Sequence, residues 1–360
     1  MKPFSWDSPL WLGMSASGPF WGCVSQMKQV TIQDIARVAK VSKSTVSRVL
    51  NDSAYVHPKK KAAVLEATRR LGFKPNVVAR SLAHGRSMTI GVLTQLIGSP
   101  YYDAISQGVI EELAQTTFAP IFVDGQWQER AEIEGIRALM GRHVDGLILI
   151  GGGISGATIS DICGQLPTVV VGRELPGDRH VCFYADNELG GYLATSHLLE
   201  QGHRQIAIIK GLKHQPDAID RWVGFNRAMR EAGWEPDPDL VIQGDFSPES
   251  GVQAVEQLLA QGKDFTAIVA ANDMTAFGAR LALDRAGLNV PADVSVVGFD
   301  DQLESTYWTP PLTTIRQPAQ EMGRLAANAV VEIVNGQSPV SQCLPCTLVK
   351  RDSVAIPSAD

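Results

Sequence analysis

The sequence predicts an α/β protein in which a small all-α head precedes two doubly wound parallel-sheet subdomains. Three observations carry this. From Met88 onward, short runs of continuous apolar residues alternate with helical patterns, as expected of parallel sheets covered by helices on both faces. Ahead of them, three short amphipathic segments fall between residues 31 and 72. Charge is divided along the same line. Residues 28–87 hold 13 Lys and Arg against 3 Asp and Glu, and residues 88–360 hold 18 against 34, within a net charge of −6. A basic segment on an acidic bulk suggests a nucleic-acid-binding head on a soluble body.

Composition bounds the rest. At 360 residues, 44% hydrophobic and 19% charged, the chain has room for two or three ordinary globular domains. Five cysteines (Cys23, Cys163, Cys182, Cys343 and Cys346) are too few and too scattered for a disulfide framework. Cys343-Leu-Pro-Cys346 has no second pair and no nearby His, so it reads as strand sequence and not as a zinc site. The cysteine usage agrees with a reducing cytoplasm, and no stretch approaches the ~20 uninterrupted apolar residues of a membrane span. The first 26 residues carry Trp6, Trp11 and Trp21 without a period, and Asp7 and Pro9 interrupt any signal-peptide core. Met27 is followed at once by Lys28-Gln29-Val30-Thr31. Residues 1–27 are therefore expected to be a disordered extension, or a product of start-codon choice.

The head is expected over 28–74. Thr31 and Asp34 form a capping-box pattern, with Ile35, Val38 and Ala39 as the apolar face of the first helix. Ala39-Lys40-Val41 is a tight turn, and Ser42 can cap a second helix within residues 41–51. Val46, Val49 and Leu50 face inward there, which pushes Lys43, Ser44, Ser47 and Arg48 outward. Pro58 suits the first position of a third helix, Lys59-Lys60-Lys61 suits phosphate contacts, and Gly72 is a stop. Val64, Leu65, Ala67, Thr68 and Leu71 supply its inward face. Such a core is very small, so the head should be marginally stable alone. A capped pair of short helices with exposed Lys, Ser and Arg fits a helix-turn-helix.

In the body, strands are expected at 89–94, 119–123, 144–150, 168–171, 205–209, 267–270 and 294–299. Helices are expected at 104–114, 129–141, 187–201, 220–232 and 274–286. Two such runs imply two subdomains with a cleft between them, and ligands of such sheets bind at the carboxyl ends of strands.

Residues 30–51, followed by Lys74-Pro75-Asn76-x-x-Ala79-Arg80-x-Leu82, resemble the head and hinge of the LacI/GalR family of bacterial transcriptional regulators. The resemblance continues through Gly202-His203-Arg204, Gly244-Asp245-Phe246, Ala271-Asn272-Asp273, Val297-Gly298-Phe299-Asp300-Asp301 and Pro310-Pro311-Leu312-Thr313-Thr314-Ile315, and reaches to about residue 356. It implies a hinge over 75–87 in which Leu82 wedges into the minor groove, at a cost of a few kcal/mol for unstacking, while Ala79 lets two hinge helices approach. It also implies a body over 88–357 like the type I periplasmic binding proteins. Three chain crossings, near Asp186, near 314–318 and near 336–341, would give an N-subdomain of 88–186 plus 317–338 and a C-subdomain of 187–316 plus 339–357.

A sugar offers vicinal hydroxyls and an apolar ring face, so its site needs groups that make paired hydrogen bonds and aromatic walls. By chemistry and by match to the family, the expected effector residues are Tyr101, Tyr102, Arg173, Arg221, Phe246, Asn272 and Asp300. Arg221 is read at a helix start, where the dipole disfavours a cation and a purpose other than surface charge is implied. Three departures narrow the ligand. The lac repressor has an acidic residue where this chain has Gly172 and an aromatic wall where it has Ala319, so no lactose response is expected. Gln215 and Asp217 replace residues that a purine-responsive relative uses.

Other chemistry is not written in the chain. Gly151-Gly152-Gly153 lacks the Lys-Ser/Thr of a P-loop, and no G-x-S-x-G or H-E-x-x-H occurs. His197 and His203 are expected to pack or cap. The resemblance therefore implies a homodimeric repressor on a near-palindromic double-stranded DNA operator, controlled by a small carbohydrate effector, with no cofactor, no metal and no enzymatic activity. Lys43, Ser44 and Arg48 would read bases, while Ser42, Thr45, Ser47 and Asn51 would cap or touch phosphates. A periplasmic-type solute-binding protein, and an activator or corepressor-dependent regulator with another effector, are the alternatives.

Overall fold

The computed structural model describes residues 30–51, 54–73, 86–177 and 179–357. The extension expected over 1–27, and the hinge residues Ala79 and Leu82, lie outside the described residues. The chain divides into two units, Met1–Ala79 and Arg80–Asp360.

The first unit holds α1 (Ile32–Ala39), α2 (Lys43–Asn51) and α3 (Pro58–Arg70). The Thr31 hydroxyl accepts from the Asp34 amide, and Asp34 accepts from the Thr31 amide at 3.0 Å, closing a capping box. Lys40, left-handed at φ 52°, ends α1. The Ser42 hydroxyl accepts from the Thr45 amide at 3.1 Å at the start of α2. Ile35, Ala36, Val46, Val49, Val64 and Ala67 are the buried core. Of the expected inward residues, Ala39, Leu50, Thr68 and Leu71 are partly buried, while Val38 and Leu65 are exposed, at 39% and 42%. On a helix as short as α1, a small rotation puts Ala36 on the inner face in place of Val38, because neighbouring positions differ by about 100°.

The second unit is two parallel sheets. The first contains β1 (Thr89–Thr94), β2 (Ala119–Asp124), β3 (Gly146–Ile150), β4 (Thr168–Val171) and β5 (Val181–Ala185), with α4 (Pro100–Leu113), α5 (Glu129–Gly141) and α6 (Gly156–Cys163) between them. The chain passes at Asp186 into α7 (Asn187–Glu200) and the second sheet: β6 (Ile206–Lys210), α8 (Pro216–Glu231), β7 (Val241–Gln243), α9 (Pro248–Ala260), β8 (Ala267–Ala270), α10 (Asp273–Arg285), β9 (Ser295–Asp300), α11 (Leu303–Tyr307) and β10 (Thr313–Arg316). It returns as α12 (Ala319–Val334), which packs on α4, and finishes with β11 (Gln342–Leu344) and β12 (Thr347–Val349). The strand orders are β11-β5-β4-β3-β1-β2 and β12-β10-β9-β8-β6-β7. Among the described residues, only β12 runs antiparallel to its neighbour, β10.

The last crossing differs from expectation. The resemblance implies that residues 339–346 belong to the C-subdomain, yet β11 pairs with β5 of the first sheet, Gln342 opposite Phe183. The chain changes sheets between Leu344 and Thr347. A three-residue edge strand is too short to register as an apolar run, which is why sequence periodicity places the crossing early. Apolar strands fill the core: Ile90, Val92, Ile148, Val169, Ile208, Val269 and Val297 belong to one buried cluster reaching through both lobes.

Candidate effector cavity and DNA-reading face

On the head, Lys43, Ser44 and Arg48 are exposed, because Val46 and Val49 anchor the opposite face of α2. Ser42 is also exposed but is engaged, its hydroxyl lying 2.8 Å from those of both Ser44 and Thr45. Thr45 and Ser47 are half-buried. The side chain of Asn51 lies outside the described residues. The face thus offers a cluster of donors and cations around a network that also caps the helix.

In the second unit, six of the seven expected effector residues line one cavity of about 270 Å³: Tyr101, Tyr102, Arg221, Phe246, Asn272 and Asp300. Each sits just beyond the carboxyl end of a strand or on the helix that follows one, as doubly wound sheets require. Tyr101 and Tyr102 open α4 after β1, Arg221 lies on α8 after β6, and Phe246 follows β7. Asn272 caps α10 after β8, and Asp300 ends β9.

Arg221 is seated by packing. A Cβ at Gly191 of α7 would lie 2.2 Å from the Arg221 carbonyl oxygen, and one at Gly224 would lie 2.0 Å from the Glu188 carbonyl oxygen. These reciprocal glycines let α7 and α8 cross backbone to backbone. Arg221 is in the second turn of α8 and buried, so the reading of a helix-start residue opposed by the dipole does not hold. Its Nε donates to Asn187 Oδ1 at 2.9 Å and one terminal nitrogen to the Ala271 carbonyl, while the other lies 4.0 Å from Asp300 Oδ1. Its guanidinium carbon stands 3.7 Å from the centre of the Phe299 ring and 5.6 Å from that of Phe246.

Asn272 Oδ1 accepts from the Thr275 amide at 2.9 Å and from its hydroxyl at 2.7 Å, so the amide NH₂ is what it can offer the cavity. Asp300 accepts from Gln317 at 2.7 Å. Both Asp300 (φ 109°) and Phe246 (φ 72°) hold left-handed backbone. Such conformations cost about 1–3 kcal/mol each for a side-chain-bearing residue and cluster at ligand sites. Behind them Asp273 is fully buried. It accepts from Thr314 at 2.6 Å, Ser305 at 2.7 Å and the Gln302 amide at 2.8 Å. Burial, then the nearby Asp300, push its carboxyl up to about 7, against the pull of those three donors.

Arg173 does not join the cavity lining. It donates to the Ile154 carbonyl at 2.6 Å, and burial lowers its pKa. Ala319 is a buried core residue, also off the cavity wall. The sequence reading missed Trp127, Met274 and Gln302 as wall residues. Trp127 lies just past β2, with its ring 6.0 Å edge-on from Tyr102 and its amide donating to Gln95 at 2.7 Å. Its position beyond a strand end was the available signal. Gln215 and Asp217, weighed only as departures from a purine site, also line the wall. Burial first pushes the Asp217 carboxyl up to about 6. Both tyrosines are raised chiefly by burial and next by Asp217, so their phenols stay protonated donors at neutral pH.

Among the described residues, no group of three or more His, Cys, Asp or Glu is arranged to hold a metal ion, and no helix is long and apolar enough to cross a membrane.

Three capped helices carrying exposed cations, and a separate two-lobed unit with a ligand-sized cleft, define a ligand-responsive DNA-binding regulator. Comparison with known proteins gives the same class. Residues 31–76 match the model of bacterial regulatory proteins of the lacI family, and residues 195–354 match a periplasmic binding protein-like domain. The HTH-type transcriptional regulator GalR of Salmonella typhimurium is 36% identical over 332 residues, covering 91% of this chain and 97% of that protein. The HTH-type transcriptional repressor PurR of Erwinia tasmaniensis is 34% identical, covering 90% and 97%. The solved lac repressor dimer, bound to operator and the anti-inducer ONPF, superposes with a TM-score of 0.83 at 31% identity, over 91% of this chain and all of that one. The chain belongs to the lacI family of bacterial regulatory proteins.

Proposed function

We propose that the protein is a repressor that binds a near-palindromic DNA operator as a homodimer and is released when a small carbohydrate fills the cavity. Lys43, Ser44 and Arg48 read base edges in the major groove, and Ser42, Thr45, Ser47 and Asn51 set the helix and touch phosphates. Ala79 and Leu82 form a hinge that kinks the operator. Tyr101, Tyr102, Arg221, Phe246, Asn272 and Asp300 hold the effector, and Arg173 supports the wall from behind. The protein acts in the cytoplasm, without cofactor and without catalysing a reaction.

The observation that carries this reading is the cavity itself. Its wall comes from both sheets: Tyr101, Tyr102 and Trp127 on one side, and Arg221, Phe246, Asn272 and Asp300 on the other. A ligand touching both lobes favours one degree of closure over another, and that differential affinity is what can bias a hinge. Arg221 and Asn272 suit adjacent hydroxyls, and Phe246 and Trp127 suit a ring face.

The test is a mobility-shift assay on operators selected from random duplexes, repeated with a panel of sugars. A sequence-specific complex dissolved by one sugar is expected. Absence of sequence preference would overturn the DNA assignment, and a complex indifferent to every sugar would overturn the effector assignment.

A further inference from the structure

The cavity wall carries three carboxylates, Asp217, Asp245 and Asp300, and among the described residues a single cation, Arg221. That cation is partly engaged. Its donors go to Asn187 and Ala271, it faces Asp300 at 4.0 Å, and the rings of Phe299 and Phe246 lie against it. The remaining terminal nitrogen can still donate to a neutral hydroxyl, but its charge already faces Asp300 across that 4.0 Å gap. Asp217 is far less occupied: its hydrogen bond with the Asn187 amide is long, at 3.4 Å. Asp245, at the rim, accepts from the Ser247 amide at 2.9 Å and from the Ser247 hydroxyl. The lining thus sets three carboxyl groups against one guanidinium.

We propose that the cavity selects by charge: it admits an uncharged or amine-bearing polyol of single-ring size, excludes phosphorylated sugars, sugar acids and nucleotides, and uses Asp217 to set that discrimination. This rests on the effector reading given above and sharpens it. A carboxylate accepts from sugar hydroxyls or an ammonium in strong charge-assisted bonds, whereas a phosphate beside it suffers like-charge repulsion in a poorly screened site. Size points the same way, since a space of about 270 Å³ falls just below the range of pockets that hold drug-sized ligands. The charged groups around Asp217 are Arg221 and Asp220 on its own helix, Asp300 from β9 and Arg173 from beyond β4. Arg173 adds a positive field from outside the wall: it donates to the Ile154 carbonyl and does not line the cavity, yet its charge reaches Asp217. Tyr101 and Tyr102 are raised chiefly by burial and next by Asp217, against the pull of Arg221, so both present neutral hydroxyls to the cavity.

The experiment is calorimetric titration of the full chain at pH 7.5 with matched sets: glucose, glucosamine, glucose 6-phosphate and gluconate, the corresponding galactose set, and ribose with ribose 5-phosphate. For any sugar that binds, its phosphate or acid should bind about tenfold more weakly or worse, a gap of roughly 1.4 kcal/mol. In Asp217→Asn that gap should shrink at least about fivefold. Neutralising a buried carboxylate relieves desolvation, so this variant is expected to fold. A phosphate or acid that binds wild type within about tenfold of its parent, or more tightly, overturns charge selection. An unchanged gap in Asp217→Asn overturns the role of Asp217. If no sugar of any charge binds, the effector reading itself fails, and this inference falls with it.

Discussion

Two arginines show how differently the two units use the same side chain. Arg48 stands exposed on α2, above a core of six buried apolar residues. Arg221 is 8% exposed, crossed by a neighbouring helix and tied to Asn187, Ala271 and Asp300. A guanidinium in water keeps its donors for whatever arrives, which suits a groove whose charge supplies affinity and whose base edges supply specificity. A guanidinium in the interior is part of the fold before any ligand comes, so it orients the ligand and the protein together. Removing the first should alter binding without touching stability. Removing the second should alter both.

The largest effect is expected at Arg221→Ala. It leaves Asn187 and Asp300 without their buried partner, at a cost on the order of 3–5 kcal/mol. A melting temperature lowered by several degrees, with loss of the sugar response and retention of operator preference, is the expected outcome; melting curves and mobility shifts measure it. A melting temperature equal to wild type would erase the contrast between the two arginines. Next comes Arg48→Ala, which should weaken specific operator binding by about 10- to 100-fold for each half-site, given about 1–3 kcal/mol for a good bidentate base contact. Calorimetry on the same variant should give unchanged sugar affinity and an unchanged melting temperature.

Asp217→Asn should produce a smaller, pH-dependent gain in stability. The folded chain raises this carboxyl from 3.8 to about 6. Between those values the folded state keeps a proton that the unfolded state has lost, so stability falls as pH rises through the window and stays lowered above it. Asn removes that burden. The variant should match wild type near pH 3.5 and exceed it at pH 7.5 by on the order of 2 kcal/mol, as read from denaturant midpoints at the two pH values. The smallest effect belongs to Ser42→Ala. It removes the 3.1 Å cap on the Thr45 amide and should cost about 1 kcal/mol, visible as destabilisation of the head with the body's melting unchanged.

Much of this was legible in the sequence, for a physical reason. Parallel strands buried on both faces must be continuously apolar, so β6, β8 and β9 stand out, and Asn272 and Asp300 are found simply by looking at their carboxyl ends. The capping box at Thr31 and Asp34 is legible because its chemistry is local. What was not legible depends on the third dimension. Trp127 sits in a left-handed turn held by Gln95, about thirty residues back in the chain. The burial of Arg221 requires knowing that α7 and α8 cross at Gly191 and Gly224. Leu65 looked apolar and therefore internal, yet a three-helix head has too little interior to hold it. Arg173 follows a strand as a ligand contact should, but its donor turns to Ile154 and leaves the wall.

The short final crossing sets the mechanics of the body. β11 ends at Leu344 in one sheet and β12 begins at Thr347 in the other, with Pro345 and a buried Cys346 between them. Even fully extended, the span from Leu344 to Thr347 is about 10 Å, so the lobes cannot slide apart at this point. The crossing at Asp186 lies beside it, the Asp186 amide donating to the Leu344 carbonyl at 2.8 Å, so two of the three links between the lobes share one seam and any change of closure has to keep that seam together.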